Sequence, residues 1–245
     1  KKLFLKHIKE AHKNGADMIK IQTYEPDDIT VKNPNLDTKI KMGIWKGEKL
    51  WSLYNKAKTP YSWHEDAFKL AKKLDVVLFS TPFSLRSLKF LKRFNPKIYK
   101  ISSFEITDLN LINEISKTKK PIIISTGGSS LKEIKAAVNI IEKHHKKIIL
   151  LHCVSGYPTP IKDTNLNTIK YLKKQFPKYH IGLSDHTKTI DTSIGSISLG
   201  AKVIEKHFKI SNLIKSEDSK FSITSLELKK LKSYIINIHS ALGVY

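Results

Sequence analysis

Short, almost continuously apolar runs alternate along the chain with polar turns and amphipathic stretches. Seven such runs occur: Met18–Tyr24, Val76–Phe83, Ile98–Glu105, Pro121–Gly127, Lys147–Ser155, Ile181–Thr187 and Val203–Phe208. They are β-branched and apolar at successive positions, as strands covered on both faces should be. Between them lie patterns of helical period, among them His64–Leu74 and Leu131–Lys143. Three Ser/Thr-x-x-Glu pairs, Ser62/Glu65, Ser130/Glu133 and Thr224/Glu227, read as capping boxes at helix starts. Strict alternation of strand and helix predicts a parallel sheet with helices outside.

The rhythm breaks once. Glu25–Pro60 is long, polar and studded with aromatics, and reads as an extended loop carrying a short helix near Glu48–Ala57. The first residues, Lys1–Asn14, read as a helix with no strand before it. Seven strands fit either a (β/α)8 barrel lacking its first strand or an open doubly wound sheet. The barrel is preferred, because polar residues gather at the C-terminal end of every run.

The 245 residues suffice for one such barrel and a sizeable core. No apolar run reaches the roughly 20 residues of a membrane span, and the opening KKLFLKHIKEAHK is not a signal peptide. The lone Cys153 excludes an internal disulfide and fits a reducing cytoplasm.

A formal net charge of +22 raises the question of nucleic acid. Only Arg86 and Arg93 are arginines, and the lysines are spread along the chain rather than gathered. Arginine would be expected to dominate phosphate recognition. The charge is therefore read as a solvated, lysine-rich surface with no nucleic-acid partner, though one that attracts anionic substrates.

Candidate chemistry sits where barrel mouths carry it, at the strand ends. His186 and His207 would stand on adjacent strands. They can hold a divalent metal with open positions, or simply hydrogen-bond within a polar pocket. Lys20 and Lys100 interrupt apolar strands, and a buried lysine needs an anion. With Ser103, Ser125 and Ser184 they can hold a phosphate or carboxylate; the alternative is a structural carboxylate such as Glu105. His152 reads as a satisfied core histidine and His64 as structural. His7, His12, His144, His145 and His239 read as helix-surface residues, and His180 as structural at the far end. Neither a Walker A motif nor a dinucleotide fingerprint is present.

Taken in order, KIQTYEPD, AKTPYSWH, STPF, YKISSFE, STGG, YPTP, GLSDHT, VIEKHF and SEDSKFS resemble the sialic-acid synthase family over essentially the whole chain. The resemblance implies a (β/α)8 barrel that condenses phosphoenolpyruvate (PEP) with an amino-sugar aldehyde, using a divalent metal, typically Mn²⁺, with Mg²⁺ or Co²⁺ as alternatives. It implies His186 and His207 as metal ligands, with His186 also catalytic. Lys20, Lys100, Ser103, Ser125 and Ser184 match PEP-binding positions, and Glu105 the carboxylate beside the reacting enolpyruvate. Ser155, Tyr157 and Asp218 match sugar-contacting positions. The run GIWKGEKLWSLYNKAKTPYSWH and the segment SEDSKFS are similar to the branch that makes pseudaminic acid from a 2,4-diacetamido-2,4,6-trideoxy hexose.

Residues 1–245 are thus expected to be one synthase barrel domain in the cytoplasm, with no membrane partner. The family's first strand and its C-terminal antifreeze-like (SAF) domain are expected to have no counterpart in these residues. The resemblance also implies a homodimer in the full-length form. Legionaminate or N-acetylneuraminate synthesis, another PEP-using barrel enzyme, and an inactive barrel that only binds ligand are the other readings.

Overall fold

The computed structural model describes residues 1–33 and 39–243. Seven parallel strands lie side by side in chain order: β1 (Met18–Thr23), β2 (Val77–Pro82), β3 (Tyr99–Ile101), β4 (Ile122–Ser125), β5 (Ile148–Cys153), β6 (His180–Asp185) and β7 (Ile204–Lys206). Sequential neighbours throughout exclude a doubly wound sheet, whose strand order must reverse. The sheet curls into a barrel with one strand's place open, between β1 and β7. All seven strand runs read from the sequence are present. β3 is the most shortened, because the chain after Ile101 turns into a 3-10 segment, Phe104–Thr107.

Nine helices are described: α1 (Lys2–Lys13), α2 (Leu50–Ala57), α3 (Tyr61–Lys73), α4 (Leu85–Lys92), α5 (Leu109–Ser116), α6 (Leu131–Glu142), α7 (Thr168–Gln175), α8 (Asp191–Ser198) and α9 (Ser225–Leu242). None among the described residues is long and apolar enough to cross a membrane. Ser130 and Thr224 cap α6 and α9, each with its glutamate reaching back. The Ser62/Glu65 box does not form. Helix α3 begins earlier, at Tyr61 behind Pro60, so Ser62 is already inside it and Glu65 pairs with Lys69. Pro60 pre-sets the helix entry that the serine was expected to supply.

Strand alternation divides the core into two layers. Outward-facing Ile101, Ile122, Ile124, Leu150, Ile181 and Leu183 pack under the helices with Ile112, Ile134 and Ile141. Inward-facing Phe79, Ile123 and Leu151 fill the barrel interior, with Met18, Ile149 and Val203 against them. Gly182 faces inward as well. A Cβ there would lie 2.3 Å from the Val203 carbonyl oxygen, so only glycine lets these two backbones approach.

The same alternation separates Ser80 from the other polar residues at the C-terminal strand ends, which the sequence pattern places together at the mouth. Ser80 does not reach the mouth. It faces the helix layer and is fully buried, bonding Thr23 Oγ1 at 2.6 Å and the Ile21 carbonyl. Thr23 in turn meets His64 Nε2 at 2.7 Å, so His64 is the structural histidine expected. His152, facing outward on β5, is satisfied by the Thr164 carbonyl at 2.7 Å. His144 is more than a surface residue, since its Nε2 meets Asn113 Oδ1 of α5 at 2.9 Å.

Candidate active site

Inward-facing positions at the C-terminal strand ends carry the polar cluster. Lys20 of β1 lies 2.8 Å from the Glu205 carboxylate of β7. Lys100 of β3 is 1% exposed. Its ammonium donates to Ser125 Oγ of β4 at 2.7 Å and to the Ile101 carbonyl at 3.0 Å, and stands 3.7 Å from Glu205. Ser184 of β6 donates to Glu205 at 2.8 Å. Side chains from three other strands, β1, β3 and β6, therefore converge on this one carboxylate of β7. The lysines' protein partner is Glu205 and not Glu105, which the sequence had offered as the alternative. Ile204 packs with the helix-side core, so Glu205, the next residue of β7, faces inward, beside Lys20 of β1.

Two lysines and one carboxylate leave the cluster net positive. Burial works to lift the Glu205 carboxyl, but Lys100 and Lys20 outweigh it and hold the group well below the usual carboxylate range. Burial pushes the Lys100 ammonium down to about 8, against the pull of Glu205 and with the push of Lys20. An arriving dianion would add the missing negative charge.

Glu105 stands in the 3-10 turn after β3. Burial raises its carboxyl to about 7, against the lowering effect of its own backbone N–H and of Lys100. Its Oε2 is buried with no hydrogen-bond partner. A carboxyl poised near neutrality with a free oxygen suits proton transfer at the mouth.

Ser103 follows β3 and accepts a hydrogen bond from the Gly127 N–H at 3.0 Å. A Cβ on Gly127 would meet Ser155 Oγ at 2.5 Å, Ser103 Oγ at 2.9 Å and Cys153 Sγ at 3.1 Å. The absent side chain lets these three groups crowd one point of the mouth. Ser155 Oγ is itself buried without a partner.

His186 and His207 follow β6 and β7, with ring centroids 5.4 Å apart. His186 Nδ1 lies 3.0 Å from the Val154 carbonyl oxygen. A carbonyl only accepts, so Nδ1 carries the proton and Nε2 keeps its lone pair. His207 Nδ1 lies 3.3 Å from Asp218 Oδ2, and the carboxylate imposes the same tautomer. Two neighbouring imidazoles with free Nε2 lone pairs fit a divalent ion that takes its remaining ligands from substrate and water. No set of three or more metal-binding side chains occurs among the described residues. Such a centre would be open rather than structural.

Above the histidines lies an aromatic wall. Tyr157 packs on His186 with centroids 4.4 Å apart. Phe221 packs on His207 at 4.8 Å and on Tyr157 at 5.2 Å. Trp45, from the long loop after β1, reaches Tyr157 at 5.8 Å and donates its indole N–H to the Glu217 carbonyl. Asp218 is thus near the mouth, with one oxygen engaged by His207. The sequence reading assigned no role to Glu205, Gly127, Trp45 or Phe221. Glu205 lay in the EKHF run already marked as a polar strand end, and Gly127 in STGG.

A model of the NeuB family matches residues 7–245. The chain is 45% identical over 240 residues to a pseudaminic acid synthase of Campylobacter jejuni, covering 98% of this chain and 70% of that protein. It is 37% identical over 242 residues to an N,N'-diacetyllegionaminic acid synthase of Campylobacter jejuni, covering 97% and 72%. Among solved structures, it superimposes with a TM-score of 0.89 on the N-acetylneuraminic acid (sialic acid) synthetase of Leptospira borgpetersenii in complex with citrate. That match has 30% identity and covers 99% of this chain and 80% of that one. Sequence and fold agree over nearly the full length: this chain belongs to the NeuB, or sialic-acid synthase, family.

Proposed function

We propose that the protein condenses PEP with a 2,4-diacetamido-2,4,6-trideoxy hexose aldehyde and water, giving pseudaminic acid and phosphate. One observation carries this most directly. A net-positive cradle built on Lys20, Lys100 and Glu205 shares one barrel mouth with an open imidazole pair. An anionic enol and a carbonyl electrophile can meet there. The pseudaminic acid synthases it resembles support the choice of sugar.

Lys20, Lys100, Ser103, Ser125 and Ser184 hold the phosphate and carboxylate of PEP by charge-assisted hydrogen bonds. His186 and His207 would hold a divalent ion, preferably Mn²⁺, which would supply Lewis-acid polarisation of the aldehyde carbonyl. Ser155, Tyr157 and Asp218 face the sugar. The PEP methylene carbon forms a bond to the aldehyde carbon as the carbonyl π pair moves to the aldehyde oxygen, which takes up a proton, and positive charge develops at the former enol carbon. Glu105 stands by that carbon, stabilises the charge and takes a proton from the water that adds there. The bond between that carbon and the phosphate oxygen then breaks as the added hydroxyl becomes the ketone and its proton passes to the leaving phosphate. Holding both reactants in one mouth replaces much of the entropic barrier. A homodimer working in the cytoplasm completes the reading.

The test is phosphate release from PEP with Mn²⁺ against three sugars: the 6-deoxy diacetamido altrose, its legionaminate-type counterpart and N-acetylmannosamine. Release with the first alone, abolished by EDTA, is the expected result. Release only with another sugar would reassign the branch, and PEP binding without release would favour a barrel that only binds ligand.

A further inference from the structure

Asp185 and Lys206 form an ion pair that faces away from the mouth. They are register partners on β6 and β7, joined at 2.9 Å, with side chains 1% and 4% exposed. One residue further along each strand stands a histidine of the proposed metal pair. The lysine's bonds all lead to the backbone or side chains that flank His186. Besides Asp185, Lys206 donates to the Thr187 carbonyl at 2.7 Å and to Thr187 Oγ1 at 3.1 Å. Asp185 accepts from the Thr187 N–H at 2.8 Å, from Thr192 Oγ1 at 2.7 Å and from Ser193 Oγ at 2.5 Å, the last two on α8.

The residues on both sides of His186 are therefore tied to the side chain that precedes His207. All three ammonium protons are used, and both carboxylate oxygens are filled. A lysine with four freely rotating carbons is a poor choice for a mere filler of this space. An apolar side chain of similar volume would often serve stability equally well. Fully satisfied buried polar networks instead impose one geometry.

We propose that Lys206, through Asp185 and Thr187, is a positioning residue that sets the spacing and orientation of His186 and His207. The inference rests on the metal reading of those histidines. Neither Lys206 nor Asp185 touches substrate, because both face the helix layer.

The test reads Mn²⁺ binding directly, from the loss of the free aqua-ion signal in electron paramagnetic resonance, with Mn²⁺ alone as the probe. Wild type, His207→Ala, Lys206→Met, Thr192→Val and Ile141→Val are compared, the last being a remote core control on the buried face of α6. Thr192→Val keeps the shape of its side chain but removes its hydrogen bonds to Asp185 and to Thr187 Oγ1. Lys206→Met is expected to weaken Mn²⁺ binding at least tenfold while PEP affinity stays within threefold. Thr192→Val is expected to weaken it about threefold, and Ile141→Val not at all, although it also lowers the melting temperature. A folded Lys206→Met variant with wild-type Mn²⁺ affinity overturns the proposal. Should Lys206→Met fail to fold, unchanged affinity in Thr192→Val overturns it. Equal binding by wild type and His207→Ala would instead remove the metal reading itself, and the inference with it.

Discussion

The ammonium of Lys20 and the carboxylate of Glu205 stand 2.8 Å apart, one on each edge strand of the sheet. β1 and β7 share no ladder in the strand order, so this ion pair spans the open side of the barrel. It joins the two ends of the sheet at the level of the mouth. The same carboxylate also faces Lys100 and receives Ser184.

Glu205→Gln leaves Lys100 buried beside Lys20 without an anion. Breaking a buried pair costs about 3–5 kcal/mol. Glu205 is 15% exposed, so a loss of about 3 kcal/mol in urea unfolding is expected. Saturating PEP should restore more stability to this variant than to wild type, since a ligand dianion replaces the lost charge. Equal stabilisation of both proteins by PEP would contradict the placement of PEP in the lysine cradle.

Glu105→Gln should bind PEP with near wild-type affinity, measured calorimetrically, and turn over about 10²–10⁴ times more slowly. Complete loss of PEP binding would make Glu105 a scaffold for the lysines instead.

The same residue carries a pH signature. Its carboxyl is raised to about 7 in the folded protein, against about 4.3 in an unfolded chain. Between those values the folded state holds the extra proton. The contribution of Glu105 to stability is therefore fully present below about pH 4.3 and falls as pH rises towards 7. Glu105→Gln lacks this slope. At pH 8 it should exceed wild type by about 2 kcal/mol, after allowing for solvent near the mouth. Parallel stability curves for the two proteins from pH 5 to 8 would refute the raised carboxyl.

Gly127→Ala places a methyl 2.5 Å from Ser155 Oγ and 2.9 Å from Ser103 Oγ. Both serines must move, at a cost of about 1–3 kcal/mol of stability for overpacking. KM for substrate should rise at least tenfold. Wild-type KM values in a stable Gly127→Ala protein would detach this cluster from substrate binding.

Trp45→Ala removes one panel of the aromatic wall beside Tyr157. The sugar KM should rise while the PEP KM holds, because the lysine cradle does not include Trp45. A matching rise in both would show that Trp45 orders the whole mouth.

Much of the site was legible because parallel barrels place chemistry at predictable points. Lys20, Lys100, Ser125 and Ser184 could be chosen as polar interruptions at strand ends, and each faces inward. Ser80 has the same signature yet faces the helices, since one step along a strand reverses the side chain. Only a register settles which face a residue takes. The tautomers of His186 and His207 were equally hidden, because they depend on the Val154 carbonyl and on Asp218.

The order of strands and helices, the placing of the two lysines within apolar strands and the long loop after β1 follow from the sequence alone. Hydrophobic periodicity and turn residues are local properties, and they specify local structure. The partner of each buried charge belongs to the tertiary structure. Curling the sheet brings Glu205 to Lys20 and leaves Glu105 near neutrality in its turn. It also ties Lys206 to both sides of His186. These pairings arise when residues far apart in the chain are excluded from water together, and charges so confined must be matched with whatever the fold sets beside them.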